Sequence, residues 1–178
     1  MTARARRQKA TVELFLMDKT LKFATLAHEG QQRKYTFEPY IVHPQEVAAI
    51  VATVPHTIEM YCAALMHDVL EDTDVTEEHM RREFGDKITD LVVGLTNVSK
   101  PQDGNRAYRK NLDLLALEKQ PADVQTIKLA DLIANTGSIV EHDPDFALIY
   151  LEEKRLLLSV LVRGDKELMK QAKALIGE

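Results

Sequence analysis

Apolar positions recur at three- and four-residue intervals along most of this 178-residue chain, the period of helices that bury one face. Leu14, Phe15, Met17, Leu21, Phe23, Ala24 and Leu26 predict a first amphipathic helix over about residues 10 to 28. Gly30 to Pro39 reads as a polar loop. Pro44 suits the N1 position of a second helix that turns Val47, Ala48, Ile50 and Val51 inward, and Pro55 breaks it. Thr57 caps a third helix, which continues through the run Tyr61–Asp72. Thr76, followed by Glu77 and Glu78, is a helix start with a favourable dipole, and Gly85 is its terminator. Asp86 to Val98 carries Ile88, Leu91, Val92 and Leu95 on one stripe. Ser99 to Asn105 is a second loop with turn signals at Pro101 and Asp103-Gly104. Helices then follow over Arg106–Lys119, from Asp123 to about Ile139, and from Asp143-Pro144 to about Val162. Arg163-Gly164 marks the end of the last of these, and Asp165 caps a short final helix. No alternation of period two persists, so the expected fold is all-α with roughly eight or nine helices.

Composition narrows the class. A chain of this length needs only one domain to hold a full core, read here as a basic N-terminal tail over residues 1–9 and a single domain over 10–178. The tail holds Arg4, Arg6, Arg7 and Lys9 and is expected to be solvated. A net charge of −5 gives no global attraction to nucleic acid or to an anionic membrane, so neither is an expected partner. No apolar window reaches the length of a membrane span, and Glu13, Asp18 and Lys19 interrupt the stretch where a signal-peptide core would lie. Cys62 stands alone, which excludes an internal disulfide framework and suits a cytoplasmic setting. In its apolar run it reads as a small core residue.

The run Tyr61–Asp72 carries the chemistry. His67, Asp68, Glu71 and Asp72 crowd the end of an otherwise apolar helix, where an unpaired carboxylate costs several kcal/mol or is forced to neutralise. A divalent cation would hold such a cluster and leave spare acid to act on water. Helical spacing would put all four groups on one side of the helix end. His and Asp donors suit Mn²⁺, Fe²⁺ or Zn²⁺. Further ligands must come from elsewhere, and two segments offer them. His43 stands at a helix entry before Pro44, and Asp131 is the one acid in the apolar stretch Thr126–Ala134. Lys128, Asp131 and Asn135 share a helix face at i, i+3 and i+7. Taken singly, each has a plainer reading: a helix cap, an intrahelical ion pair, a satisfied core hydrogen bond. Jointly, three separated segments placing ligand-type residues in apolar surroundings favour the metal. Basic residues lie on both loops, Arg33 and Lys34 on the first and Lys100, Arg106, Arg109 and Lys110 beside the second. The Arg106–Lys110 group reads equally well as a phosphate site or a solvated helix face.

The order His43, His67-Asp68, Asp131 matches the H…HD…D signature, and the chain resembles the HD-domain phosphohydrolase superfamily. Ala27–Lys34, Glu38–Pro44, Leu65–Thr73, Phe84-Gly85 and Lys128–Asp131 with Asn135 are similar to the hydrolase domain of RelA/SpoT-type alarmone enzymes. The length leaves no room for a synthetase or regulatory domain, so the resemblance is to the small stand-alone alarmone hydrolases. It implies an HD helical fold around one Mn²⁺ bound by His43, His67, Asp68 and Asp131. It implies that Glu71 and Asp72 handle the attacking water, one orienting or deprotonating it and the other assisting. The implied reaction releases pyrophosphate from the 3′ position of ppGpp or pppGpp, leaving GDP or GTP. Arg33 and Lys34 would lie near base and ribose, Asn135 and Ser138 opposite, with Lys128, Arg106 and Arg109 as further substrate contacts. Two departures fall at the nucleotide pocket. Tyr35-Thr36-Phe37 stands where the family has a small or glycine turn, and Leu132 stands where an Arg follows the metal Asp. Other substrates for the same fold therefore stay open: an adenosine alarmone, NADPH through its 2′-phosphate, or a nucleoside monophosphate. A nucleotide sensor without turnover is a further reading.

Overall fold

In the computed structural model, which describes residues 2–178, nine α-helices form and no strand is present among the described residues. They are α1 Ala3–Ala27, α2 Val42–Val51, α3 Ile58–Leu65, α4 Val69–Asp72, α5 Glu77–Leu95, α6 Arg106–Glu118, α7 Ala122–His142, α8 Pro144–Val160 and α9 Lys166–Ala174. The all-α expectation holds. The caps follow the sequence signals: the side chains of Thr57, Thr76 and Asp143 accept from Met60, His79 and Phe146 amides, and Asp165 accepts from Glu167 and Leu168. Gly85 sits inside α5 at φ 76°, ψ 173°, so two helical segments meet there at a kink, as the terminator signal required.

Helix α7 is the axle of the molecule. Val124 to Leu132 is buried except at Lys128, which lies at the edge of the site, and α7 packs against α2, α3, α5, α8 and α9. Small buried residues at the crossings, Ala48, Ala63, Ala64 and Ala130, let the helix axes approach. Gly164, after α8, passes so close to α7 that a Cβ there would lie 2.6 Å from Leu129 Cδ1.

Three expectations need correction. Helix α1 starts at Ala3, so residues 3–9 are its first turns, with Arg4, Arg6, Arg7 and Lys9 exposed along it. Of its apolar stripe only Ala24 is fully buried, and Leu14, Phe15 and Leu26 face outward, because no other helix covers that side. Helix α2 begins at Val42, two residues before Pro44, so His43 lies within its first turn.

The third correction concerns the motif itself. Tyr61–Asp72 is not one helix; α3 ends at Leu65 and α4 restarts at Val69. The His67 ring nitrogen Nδ1 bonds the Ala64 carbonyl at 2.8 Å, taking the acceptor that would have continued α3. Met66 closes a tighter turn onto Ala63 at 3.1 Å. Glu71 and Asp72 consequently ride out on α4 and are exposed, while His67 stays buried and Asp68 partly so.

Candidate metal centre and nucleotide site

His43 comes from α2, His67 and Asp68 from the α3–α4 turn, and Asp131 from the middle of α7. The fold brings all four together. His43 Nε2 lies 3.2 Å from Asp131 Oδ1 and 3.8 Å from Asp68 Oδ2. His67 Nε2 lies 2.9 Å from Asp68 Oδ2 and 3.7 Å from Asp131 Oδ1. Ligand atoms of His43, His67 and Asp68 all fall within 4.8 Å of one another.

The donor set fits a divalent cation. With Nδ1 donating to Ala64, neutral His67 would offer its Nε2 lone pair to a cation; that buried nitrogen meets Asp68 Oδ2 at 2.9 Å without hydrogen-bond alignment. A bare nitrogen facing two carboxylate oxygens repels them unless positive charge sits between, and N/O donors from two His and two Asp suit Mn²⁺, Fe²⁺ or Zn²⁺. The surrounding charges keep the acids ionised. Burial would raise the Asp68 carboxyl, but His67 beside it outweighs that and holds it well below the usual carboxylate range. Asp131 is held low against its own burial, chiefly by Lys128, whose Nζ donates to Oδ2 at 2.8 Å. Burial disfavours His67 as an imidazolium, yet Asp68 pushes it up to about 9, so a cation would take the Nε2 position in exchange for a proton.

Supporting groups surround the four. Asn135 Nδ2 donates to Asp131 Oδ1 at 2.7 Å, and Arg33 Nη1 reaches Asn135 Oδ1 at 3.3 Å. Tyr40 donates its hydroxyl to Asp68 Oδ2, and its ring lies 4.7 Å from that of buried His28. His28 Nδ1 meets Gln31 Oε1 at 2.8 Å, and Gln31 Nε2 donates to the Asp72 carbonyl at 2.8 Å, tying the first loop to α4.

The two acids assigned to water sit differently. Asn97 grips Glu71, with Nδ2 2.6 Å from Oε1 and its amide nitrogen 3.3 Å from Oε2. Asp72 has no such clamp; partial desolvation at the rim first, then the charges of Asp68 and Glu71, raise its carboxyl. Asp68 and Asp131 each lie within 4 Å of both His43 and His67, and neither Glu71 nor Asp72 does.

Two cavities open beside the cluster, and Asn135 borders both. The smaller, about 370 Å³, is lined by Arg33, Lys34, Tyr35, Tyr40, Ser138 and Phe146. Lys34 pairs with Asp143 at 3.1 Å and lies over the Tyr35 ring. The larger, about 840 Å³, reaches Lys128 and Asp131 and extends between α6 and α8. Arg106 lines it, held by Glu153 at 2.7 and 2.8 Å. Arg109 borders neither cavity, so of the pair only Arg106 is brought to the site. The turn that departs from the family pattern places Phe37 at φ 58°, exposed, in the left-handed region that a glycine would occupy freely.

This geometry meets its counterpart in known proteins. The HD domain family profile matches residues 20–148, a span that contains all four clustered residues. The chain belongs to the HD domain family. A divalent metal site is part of what that family implies, and His43, His67 and Asp68 can bind one. Over 122 residues the chain is 40% identical to the guanosine-3′,5′-bis(diphosphate) 3′-pyrophosphohydrolase of Vibrio cholerae, covering 67% of this chain and 17% of that one. It is 38% identical over 122 residues to the bifunctional (p)ppGpp synthase/hydrolase SpoT of Escherichia coli, with the same coverage of 67% and 17%. The chain thus spans less than a fifth of those relatives' length. A solved structure of a metazoan ortholog of SpoT, described as hydrolysing ppGpp, superposes with a TM-score of 0.81, covering 90% of this chain and 93% of that one at 24% identity. That likeness shows the shared HD fold.

Tyr40, Asn97 and Gln31 are site residues that the sequence did not assign. Tyr40 stands only three residues before His43, but its bond to Asp68 spans 28 residues, and that of Asn97 to Glu71 spans 26. No local pattern announces either.

Proposed function

We propose that this HD-family protein is a Mn²⁺-dependent pyrophosphohydrolase that removes the 3′-pyrophosphate of (p)ppGpp-type alarmones, yielding GDP or GTP and pyrophosphate. The observation that carries the reading is the convergence of His43, His67, Asp68 and Asp131 on one buried point, with the exposed Glu71-Asp72 pair at its rim. Several relatives are named as 3′-pyrophosphohydrolases and the Escherichia coli one as a bifunctional synthase/hydrolase, and the HD-domain match over residues 20–148 holds this cluster.

The ion held by those four side chains would neutralise a phosphoryl centre and lower the pKa of a bound water. The chain's own groups supply the rest. Glu71, fixed by Asn97, orients the water toward phosphorus. Asp72, its proton affinity raised by partial desolvation and by neighbouring acids, accepts the water's proton as the new P–O bond forms and the ribose 3′-O–P bond breaks, and the leaving 3′-oxygen takes a proton from solvent. Lys128 and Asn135 hold Asp131 in place from the substrate side. Arg33, Lys34 and Ser138 line the small cavity that would take base and ribose, where the Tyr35 and Phe146 rings offer stacking surface. Stacking accepts guanine and adenine alike, so an adenosine alarmone or NADPH is the alternative substrate that this pocket admits.

The test is a substrate panel with the purified chain and Mn²⁺: ppGpp, ppApp, NADPH and GMP, with products separated by anion exchange. Pyrophosphate from a 3′-diphosphate is expected. Orthophosphate from monoesters alone overturns the proposal, and turnover of ppApp or NADPH in preference to ppGpp reassigns the base.

A further inference from the structure

The 840 Å³ cavity holds a buried cation that the proposed chemistry leaves unused. The acids on its walls are engaged: Asp113 by Ser99, Asp131 by Lys128 and Asn135, Glu152 by Arg155, and Glu153 by Arg106. Lys154 has no such partner among the described residues. Its side chain is 1% exposed, and Nζ donates only to Thr136 Oγ1 and, at 3.4 Å, to the Leu132 carbonyl. One helical turn earlier on α8, the Tyr150 hydroxyl is buried near the same Thr136 and makes no well-aligned hydrogen bond. Both residues line the cavity.

An ammonium whose only hydrogen-bond partners are neutral oxygens is costly to bury unless an anion joins it, and the carboxylate whose field reaches Lys154, Asp131, is already held by Lys128 and Asn135. Burial lowers Lys154 to about 8, so it still carries its charge near neutral pH. We propose that Lys154 and Tyr150 form a second anion subsite, which receives a phosphoryl group of the nucleotide other than the one attacked at the metal cluster. The inference rests on the nucleotide reading above. Thr136, which Lys154 grips, follows Asp131 by five residues on α7, about 7.5 Å of helical rise. The five-residue step also turns about 140° around α7, so Lys154 and the metal cluster meet the cavity from different sides of that helix. With the 3′ group at the cluster, the phosphoryl group left to the subsite is the one at 5′. Lys154 supplies charge and Tyr150 a hydroxyl donor, both from the buried floor of the cavity between α6 and α8.

The test compares 3′-GMP with guanosine 3′,5′-bisphosphate, and the adenosine pair likewise, by titration calorimetry on the full chain with Mn²⁺. Wild-type protein is expected to bind the bisphosphate at least tenfold more tightly. Lys154→Met should reduce that preference to within twofold while leaving 3′-monophosphate binding unchanged. Tyr150→Phe retains the ring and its packing, and should lower the preference severalfold, so it reads the subsite even if the lysine variant folds poorly. A preference that survives in Tyr150→Phe and in folded Lys154→Met, or that is absent from the wild type, overturns the subsite. Lack of ppGpp turnover with the preference intact refutes the hydrolysis reading instead.

Discussion

Replacing Tyr40 with Phe removes one hydroxyl and nothing else from the edge of the metal cluster. The ring stays, packed 4.7 Å from His28 and 6.0 Å from His43, so the core around it is preserved. What is lost is the hydrogen bond to Asp68 Oδ2, the oxygen that also faces His43 and His67. Hydrogen bonds to charged groups contribute about 1.5–3 kcal/mol. Loss of an outer partner of a ligand weakens metal binding about 10–100-fold, or about 1.4–2.7 kcal/mol. The two ranges agree, so Tyr40→Phe should bind Mn²⁺ ten- to a hundredfold more weakly, measured by competition with a chelating dye. At saturating Mn²⁺ its kcat should stay within about threefold of wild type, because Tyr40 touches neither Glu71 nor Asp72. Mn²⁺ affinity within twofold of wild type would refute the idea that Tyr40 orients Asp68.

Three further outcomes follow from the same geometry. Asn97→Ala removes the 2.6 Å clamp on Glu71 and should lower kcat roughly tenfold with Mn²⁺ affinity unchanged; a parallel loss of metal would move Glu71 into the ligand set. Lys154 titrates near 8 when folded against 10.5 for the free side chain, so between those values the unfolded chain binds more protons and this group adds stability as pH rises. The stability of wild type relative to Lys154→Met, followed by urea unfolding, should therefore climb by about 2 kcal/mol from pH 8 to 10.5, allowing for solvent relaxation, and a flat difference would contradict the burial argument. Gly164→Ala would set a Cβ 2.6 Å from Leu129 Cδ1 and 3.2 Å from the Gln125 carbonyl, and should lose about 1–3 kcal/mol in the same assay; a neutral result would mean that the α7 contact is slack.

Features that depend on neighbours along the chain are legible in the amino-acid sequence. Thr57, Thr76, Asp143 and Asp165 cap where short polar side chains meet helix starts, and Gly85 breaks α5 where only a glycine turns so readily. The face shared by Lys128, Asp131 and Asn135 is likewise a local matter, and along it Lys128 and Asn135 each donate to Asp131. The four clustered residues are readable because ionisable groups in apolar runs need a reason to be there. The break at Met66–Asp68 is not, since an unbroken apolar period hides a side chain that captures its own helix's carbonyl. That break also narrows the energetic case for a cation: only His67 and Asp68 need one for burial, whereas Glu71 and Asp72 reach solvent. The exposed side of α1 escapes because periodicity says which face is apolar and not whether anything covers it. Tyr40, Asn97 and Lys154 act across 18 to 28 residues, where only the packing decides who meets whom.

The most direct test of metal-dependent pyrophosphate release is a stoichiometric one. Titrating Mn²⁺ into metal-stripped protein with ppGpp present should raise turnover to a plateau at one ion per chain, releasing pyrophosphate and GDP in equal amounts. Replacing Asp131 with Asn should abolish both the tight ion and the plateau. Undiminished turnover in excess chelator, or orthophosphate as the sole phosphorus product besides nucleotide, would contradict it.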